Sequence, residues 1–512
     1  MVDKKNRLFT NMMSYAILQI VNMMVGLFLP RLYLAVYGSE INGVVSTVNS
    51  FISYFTYLEA GLGLTMIHSL FKPLADKDYD TLNGLLAYSK NKYKQISLIY
   101  FILVLLTSML FPIINPTDAL GKFEFVALVF VIGLYGALDF YTMAKYRVLL
   151  TADRKEYVIS NAMILAQGLR FVLIWTLLHL NLSVAVVKIV PILTLLLRSL
   201  ILNRYVHRNY PDVDFKVTPC PAVEEKKQQY DALLLQISIS TSMSLPTIII
   251  SQFLGFKEAN VYAVYNLVIS AMISIVSALS SGVSPMLGRS MAQGKDIGKT
   301  YDLYDYIVSY VITVVFSTTV VMILPFIQIY TIVVNDIHYI YTSYAVLFCI
   351  WAAIYSYRIP VTAVVNAAAI YTKNRVSNIV NLLMQIVLGA VMTRWLGIPG
   401  LLVVMIAAAL QRNISLSVNN DREVLHYGIS KTIIRQILMV AVITMSHFVL
   451  TDFVYSQNLS IFGWCVYGLI VFVGEAFFCG VIWITTDKKL SQNAFRYLKN
   501  KVKRKRQSHF RK

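Results

Sequence analysis

Apolar residues occur along this chain in long runs that are separated by short polar connections. A helix needs about 20 mostly apolar residues to cross a bilayer, so each long run predicts one transmembrane helix. The sequence therefore predicts an all-α, polytopic integral membrane protein with 14 transmembrane helices. The predicted spans are Phe9–Val36, Ile41–Leu70, Ile96–Ile114, Phe123–Ala144, Tyr157–Leu178, Leu182–Leu202, Ala232–Leu254, Val261–Leu287, Tyr306–Tyr330, Tyr339–Tyr357, Val376–Trp395, Pro399–Leu416, Ile437–Phe453 and Ile461–Thr485.

The basic residues fall mostly on one side of these spans. Loops on that side hold groups such as Lys90, Lys92 and Lys94, whereas the opposite connections hold little beyond Lys122 and Lys257. The positive-inside rule then places both termini in the cytoplasm. The asymmetry also accounts for the net charge of +19 without nucleic acid as a partner. We expect the basic tail at 488–512 to meet anionic lipid headgroups.

The longest connection, at 203–230, contains Pro211, Pro219 and Pro221 and divides the spans into a first six and a remaining eight. It predicts two pseudo-symmetric six-helix lobes followed by two additional helices. The predicted regions are an N-terminal lobe at 1–203, a cytoplasmic linker at 204–230, a C-terminal lobe at 231–417, a cytoplasmic loop at 418–436, two further spans at 437–486 and a basic cytoplasmic tail at 487–512.

Polar residues form stripes on several predicted helices, and the stripes recur after the linker. Asn42, Ser46 and Asn49 step by four and three positions, which puts them on one helical face, and Asn266 and Ser270 begin a similar stripe. Such repeats are typical of transporters with a path between two halves, although small polar residues also serve helix packing in membranes. The candidate cavity-lining residues are Gln19, Asn22, Asn49, Ser53, Gln236, Ser240, Asn266, Ser270, Asn381 and Gln385.

Charged residues inside the spans are candidates for the functional site, because a charge in the bilayer is costly unless it faces protein or water. Arg31, Arg170 and Lys188 belong to the first six spans and would suit an anionic headgroup, since arginine can grip phosphate with two N–H groups; snorkelling to the surface is the alternative for Arg31 and Lys188. Glu59 and Asp139 could pair with arginine or couple transport to an ion.

Arg358, near the inner end of the tenth span, is interpreted as an interfacial anchor or as a further cationic contact. No constellation typical of catalysis, metal binding or phosphate-loop binding is present in the sequence. We therefore expect no enzyme activity, no metal and no cofactor.

Three stretches of the first half resemble bacterial polysaccharide flippases of the O-antigen and capsule type, which belong to the multidrug, oligosaccharidyl-lipid and polysaccharide exporter superfamily. The stretches are 57–64 (YLEAGLGL), 70–79 (LFKPLADKDY) and 146–157 (YRVLLTADRKEY). The resemblance implies two six-helix lobes in a V shape around a cationic cavity, with two helices appended. It also implies the turnover of undecaprenyl-diphosphate-linked oligosaccharides from the inner to the outer leaflet by alternating access, with Arg31, Arg170 and Lys188 as the residues that would hold the diphosphate.

The predicted function is therefore a lipid-linked oligosaccharide flippase for surface polysaccharide, such as capsule, exopolysaccharide or O-antigen, in the cytoplasmic membrane of a bacterium. Candidate partners are the lipid-linked substrate, anionic lipids, and polysaccharide polymerase and assembly proteins. Two alternatives remain open at this stage. One is a cation-coupled multidrug exporter of the same superfamily, and the other is a noncatalytic scaffold of polysaccharide assembly.

Overall fold

A computed structural model of the protein describes residues 2–59, 62–180, 182–215, 217–220, 226–280, 287, 297–368, 370, 372–426, 428–457, 459–488 and 490–492. Within these ranges, the structure describes only the backbone at 2–9, 64, 226–236, 239, 279–280 and 372. The predicted basic tail lies outside the described residues from 493 onward.

All regular secondary structure in these ranges is helical. The helices are α1 (Val2–Ser53), α2 (Leu62–Asp76), α3 (Tyr79–Ile114), α4 (Lys122–Thr142), α5 (Ala144–Ala152), α6 (Glu156–His179), α7 (Val184–Val187), α8 (Val190–Asn209), α9 (Lys226–Leu254), α10 (Phe256–Ser280), α11 (Ile297–Thr331), α12 (Thr342–Ala368), α13 (Arg375–Leu383), α14 (Gly389–Asn420), α15 (Ser430–Tyr455) and α16 (Ile461–Thr486). Short 3₁₀ segments lie at Tyr54–Glu59 and Thr372–Asn374, and π-helical turns lie at Met384–Leu388 and Asp421–Leu425.

Among the described residues, eleven helical stretches are long and apolar enough to cross a membrane. Two of them each cover parts of two predicted spans, because backbone kinks at Gly38 in α1 and at Gly397 in α14 divide otherwise continuous helices. A further predicted span lies within α9, whose side chains are described only from Ile237 onward. The predicted all-α, polytopic architecture is confirmed, and the count of fourteen spans is consistent with these helices.

Several predicted boundaries are wrong in detail. The helix of the first span continues through Pro30 and changes direction at Gly38, which has a φ of 77°. The second predicted span is interrupted, since α1 ends at Ser53 and a 3₁₀ segment carries the chain to Glu59. Helix α3 has 36 residues and measures about 54 Å, so it extends well beyond a hydrocarbon core of about 30 Å.

The chain divides into two compact units. Unit 1 comprises 1–237 and 250–260, and unit 2 comprises 238–249 and 261–512. Unit 1 has one large apolar core in which Tyr93 and Tyr100 are almost fully buried. In unit 2, α11 and α12 form the core, with 72% and 83% of their most apolar windows buried, whereas α16 is peripheral at 17%. The lobe boundaries inferred from the sequence stay predictions.

Candidate functional site

Two of the predicted membrane cations meet inside unit 1. Arg170 lies on α6, and Lys188 lies between α7 and α8. The Lys188 ammonium is 3.9 Å from the centroid of the Tyr33 ring on α1, a distance typical of a cation–π contact. Arg170 is close enough to interact electrostatically with both Tyr33 and Lys188. Three helical elements therefore bring two positive charges to one aromatic side chain.

Packing of α1 against α6 explains why Arg170 points to this place. The Gln167 amide donates a hydrogen bond of 3.0 Å to the Asn22 side-chain oxygen on α1. Residues three positions apart lie on the same helical face, so Arg170 follows Gln167 toward the interior of unit 1. Within the part of the chain that the structure describes, no carboxylate forms an ion pair with Arg170 or Lys188.

A small cavity of about 40 Å³, with both polar and apolar walls, opens beside Arg170. Its walls come from α4, α6 and α8, and they are formed by Tyr135, Met163, Ala166, Gln167, Arg170, Thr194, Leu195 and Arg198. The Nε atoms of Arg170 and Arg198 are buried and have no hydrogen-bond partner among the described residues. The volume holds a few water molecules. The cavity therefore presents unused cationic donors.

A network of alternating charges lies next to this cavity. Asp139 accepts a hydrogen bond from Arg198 and lies 3.1 Å from Arg147 Nη1. Arg147 also lies 3.7 Å from Glu59, which accepts a hydrogen bond of 2.7 Å from the Tyr93 hydroxyl. Burial would lower the pKa of the Arg147 guanidinium, but Asp139 and Glu59 raise it. Both predicted carboxylates are thus engaged with arginines of unit 1.

Arg31 does not line the cavity beside Arg170. It is half-buried on α1 and has an interaction partner of its own. The other candidates on α1 differ in environment. Gln19 and Asn49 are exposed, and Asn49 and Ser53 donate hydrogen bonds to carbonyl groups of their own helix at 2.8 Å and 2.7 Å. Among the α1 candidates Gln19, Asn22, Asn49 and Ser53, only Asn22 has a described hydrogen bond to a neighbour of Arg170, namely the bond from Gln167.

The polar candidates after the linker belong to unit 2, apart from Gln236, whose side chain lies outside the part described. Ser240, Asn266 and Ser270 are half-buried, and Ser270 lies 3.4 Å from the Asn266 side-chain oxygen. Asn381 and Gln385 are only 1% and 3% exposed.

Asn381 and Gln385 connect α13 and the π-helical turn to other helices of unit 2. Asn381 accepts a hydrogen bond of 3.1 Å from Ser238 and donates one of 2.7 Å to the Ala408 carbonyl. Gln385 donates to the Ser242 hydroxyl at 3.0 Å. These buried bonds hold helices together, which is the alternative role that polar side chains have in membrane proteins.

Sequence reasoning missed three residues that build the site. Arg198 lies inside the sixth predicted span, Arg147 was assigned to a loop, and Tyr33 carries no charge. A signal for Arg198 was present, since a carboxylate such as Asp139 within a span requires a nearby cation. Among the described residues, there is no group of three or more His, Cys, Asp or Glu side chains that could hold a metal ion.

Comparisons with known proteins identify the fold. No family model matches the chain, and no curated protein is similar to it in sequence. Solved structures do match. Lipid II flippase MurJ, in an inward closed conformation, has a TM-score of 0.64 at 10% identity over 93% of this chain and 99% of its own. An inward-facing multidrug resistance MATE transporter of the MOP superfamily has a TM-score of 0.60 at 15% identity over 84% of this chain and 99% of its own.

A third match, the MATE multidrug transporter DinF-BH, has a TM-score of 0.57 at 14% identity over 81% of this chain and 94% of its own. At these identities the likeness concerns the fold. The resemblance to the exporter superfamily that the sequence predicts is confirmed at that level. The chain is a multi-pass membrane protein whose fold is similar to that of these MATE transporters and of MurJ.

Proposed function

We propose that this protein is a flippase that moves undecaprenyl-diphosphate-linked oligosaccharides from the inner to the outer leaflet of a bacterial cytoplasmic membrane by alternating access. In this proposal both termini are cytoplasmic and the transported units supply surface polysaccharide. The observation that carries the proposal is the pair Arg170 and Lys188 in unit 1, which lie close to one another, form no ion pair with a described carboxylate, and include one member, Arg170, that lines a small cavity.

Electrostatics favours an anionic substrate at this pair. Two like charges repel strongly where water is scarce, and the repulsion is relieved when an anion with two charges approaches both. The Arg170 guanidinium can also grip phosphate oxygens with two parallel N–H groups. A cationic drug would add a third positive charge, so the same pair disfavours the multidrug alternative at this site.

The remaining parts of the proposal concern the sugar and the partners. Half-buried polar side chains, such as Asn22 on α1 and Asn266 and Ser270 on α10, would meet the hydroxyl groups of an oligosaccharide. The substrate crosses without covalent change, so the protein needs no catalytic group. Polysaccharide polymerase and assembly proteins would receive the product, and the basic tail would bind anionic lipids.

The test replaces Arg170 by Ala and by Glu in cells that depend on the protein for surface polysaccharide. We expect outer-leaflet lipid-linked sugar to fall about tenfold or more, since a charge-assisted contact to phosphate is lost. Arg208→Ala is the matched control, because Arg208 is an exposed cation of the same unit. Undiminished export by both Arg170 variants, at equal protein levels, would contradict the proposal.

Two further readouts separate the rival functions. Resistance to cationic dyes that depends on this chain, and that rises in Arg170→Glu, would identify a multidrug exporter. Loss of polysaccharide with unchanged lipid flipping by the purified protein in vesicles would identify a scaffold. A flippase loses vesicle flipping and cellular export together when Arg170 is replaced.

A further inference from the structure

Unit 2 contains a pair of neighbouring arginines of its own, one on α12 and one on α14. Arg412 on α14 is only 3% exposed, and Arg358 on α12 is half-buried. Arg358 is close enough to Arg412 to repel it electrostatically. Neither side chain forms an ion pair with a carboxylate of the described residues.

Two hydrogen bonds fix the place where these arginines meet. The Asn413 side chain donates to the Ile354 carbonyl at 2.7 Å, and the Asn420 side chain donates to the Val361 carbonyl at 2.8 Å. Both steps are seven residues in the same chain direction, so α12 and α14 lie side by side in parallel. Arg412 is the residue immediately before Asn413, and Arg358 lies one turn after Ile354 on the facing helix.

The unused donors of Arg412 have a definite geometry. Its Nε and Nη2 atoms are buried and lack a hydrogen-bond partner among the described residues. These two nitrogens form one edge of the guanidinium group, and their N–H bonds point in parallel, as bidentate binding of an oxyanion requires. Arg358 also has a buried Nε without a partner, and its guanidinium carbon is 4.2 Å from the Tyr355 ring centroid.

A buried charge that lacks a partner destabilises a protein, and two adjacent ones do so more strongly. A single carboxylate would neutralise only one of the two arginines, whereas a phosphate monoester or a diphosphate brings charge for both. We propose that Arg412 and Arg358 form a second oxyanion site, located entirely in unit 2, which binds a phosphate or diphosphate group. The site is distinct from the Arg170 cavity and does not depend on the proposed transport function.

Binding can be measured on the purified full-length chain in a zwitterionic detergent. Inorganic pyrophosphate is titrated calorimetrically into the wild type, into Arg170→Gln with Lys188→Gln, and into the triple variant in which Arg412→Gln is added to these two substitutions. We expect binding to persist in the Arg170/Lys188 variant and to weaken about tenfold or more there when Arg412→Gln is added. Arg422→Gln, which removes an exposed cation of the same unit, is expected to bind like the wild type.

Arg412→Lys distinguishes a binding role from a general need for positive charge. Lysine keeps the charge but lacks the two parallel donors, so we expect intermediate affinity. Equal pyrophosphate affinity with and without Arg412, in variants that stay monodisperse, would overturn the second site. It would leave the proposal for Arg170 untouched, because that proposal is tested by export.

Chemical footprinting on the unmutated protein covers the case in which Arg412 variants fail to fold. Phenylglyoxal modifies arginine, and we expect pyrophosphate to protect Arg412 and Arg358 but not Arg422. Farnesyl diphosphate is the second probe. Protection by both compounds identifies the phosphate group as the ligand, and protection by farnesyl diphosphate alone identifies a lipid headgroup. Absence of protection by either compound would overturn the site.

Discussion

Arginine side chains inside this protein are found in two different environments. Arg198 and Arg435 are buried and paired with aspartates, although Arg198 keeps one unused donor at Nε. Arg170 and Arg412 also keep unused donors, and they form no ion pair with a described carboxylate. A paired arginine satisfies its charge within the fold and contributes to a fixed structure. A buried arginine without a counter-ion destabilises the protein unless a ligand binds its free donors. This is why the functional proposals rest on Arg170 and Arg412.

The pairing of Asp139 leads to a stability prediction. Asp139 is hydrogen-bonded to Arg198, and the two side chains are 16% and 10% exposed. Asp139→Asn leaves Arg198 buried without a counter-ion, so we expect a loss of about 3 kcal/mol in the free energy of unfolding. The measurement is chemical unfolding of the purified protein in detergent, followed by fluorescence.

Two controls make this prediction specific. Asp118→Asn removes an exposed aspartate of the same unit and is expected to have little effect. The double variant Asp139→Leu with Arg198→Leu removes both charges, so we expect it to recover much of the loss. If Asp139→Asn were as stable as the wild type, the ion pair would have no structural role.

At the scale of helices, glycines define several of the bends and close contacts. Gly38 and Gly397 adopt positive φ values of 77° and 66° and divide long helices, whereas Pro30 lies inside a continuous helix. Only glycine adopts such backbone angles without strain. The sequence pattern indicated the helices correctly, because lipid requires backbone hydrogen bonds to be made within each span. It could not distinguish Gly38 from Pro30 as the bend, since that choice depends on neighbouring helices.

Polar side chains show the same limit of sequence reasoning. The pattern placed Asn381 and Gln385 on one helical face, and both do lie together, but they bond to Ser238 and Ser242 on another helix. Whether such a face meets water or a neighbouring helix is decided by tertiary packing. The charge pattern was more informative, because Arg170 and Lys188 do lie close to one another.

Gly43 on α1 provides a test of helix packing in unit 1. A Cβ atom at this position would lie 1.9 Å from the Phe256 carbonyl oxygen, and the neighbouring Asn42 donates a hydrogen bond of 2.7 Å to Asn260. Gly43→Ala must therefore displace the start of α10, and we expect a loss of about 1–3 kcal/mol in stability. The readout is the melting temperature of the purified protein.

Gly26→Ala is the matched control for this substitution. Gly26 lies in the same helix, and a Cβ atom there would have no neighbour within 4 Å. Alanine has the higher helix propensity, so we expect Gly26→Ala to leave stability unchanged or to raise it by up to about 1 kcal/mol. If the Gly43→Ala protein had the same melting temperature as the Gly26→Ala protein, the close contact at Gly43 would not contribute to stability.

On the scale of the whole molecule, charge connects α15 to the core helices of unit 2. Arg435 on α15 lies 2.6 Å from both Asp302 and Asp305 of α11, and Tyr357 of α12 donates a hydrogen bond to Asp305. Lys431 adds a further ion pair of 3.0 Å to Asp302. Helix α15 is therefore joined to α11 by ionic contacts, whereas α16 packs on α11 through apolar contacts such as that of Trp483 with Tyr306.

The orientation of the molecule in the membrane follows from its basic loops and can be checked with a native cysteine. Cys220 is exposed in the connection between α8 and α9, while Cys349 and Cys479 are buried. If the positive-inside rule holds, this connection is cytoplasmic. A membrane-impermeant maleimide should then label Cys220 only after the cells are opened.

A reporter on the other side completes the orientation test. Ser456 is exposed in the turn between α15 and α16, which the same reasoning places outside, so Ser456→Cys should be labelled in intact cells. The background variant replaces Cys220 and Cys465 by Ser, because these are the two exposed native cysteines. Labelling of Cys220 in intact cells would show that the orientation in the membrane is the opposite of the one predicted.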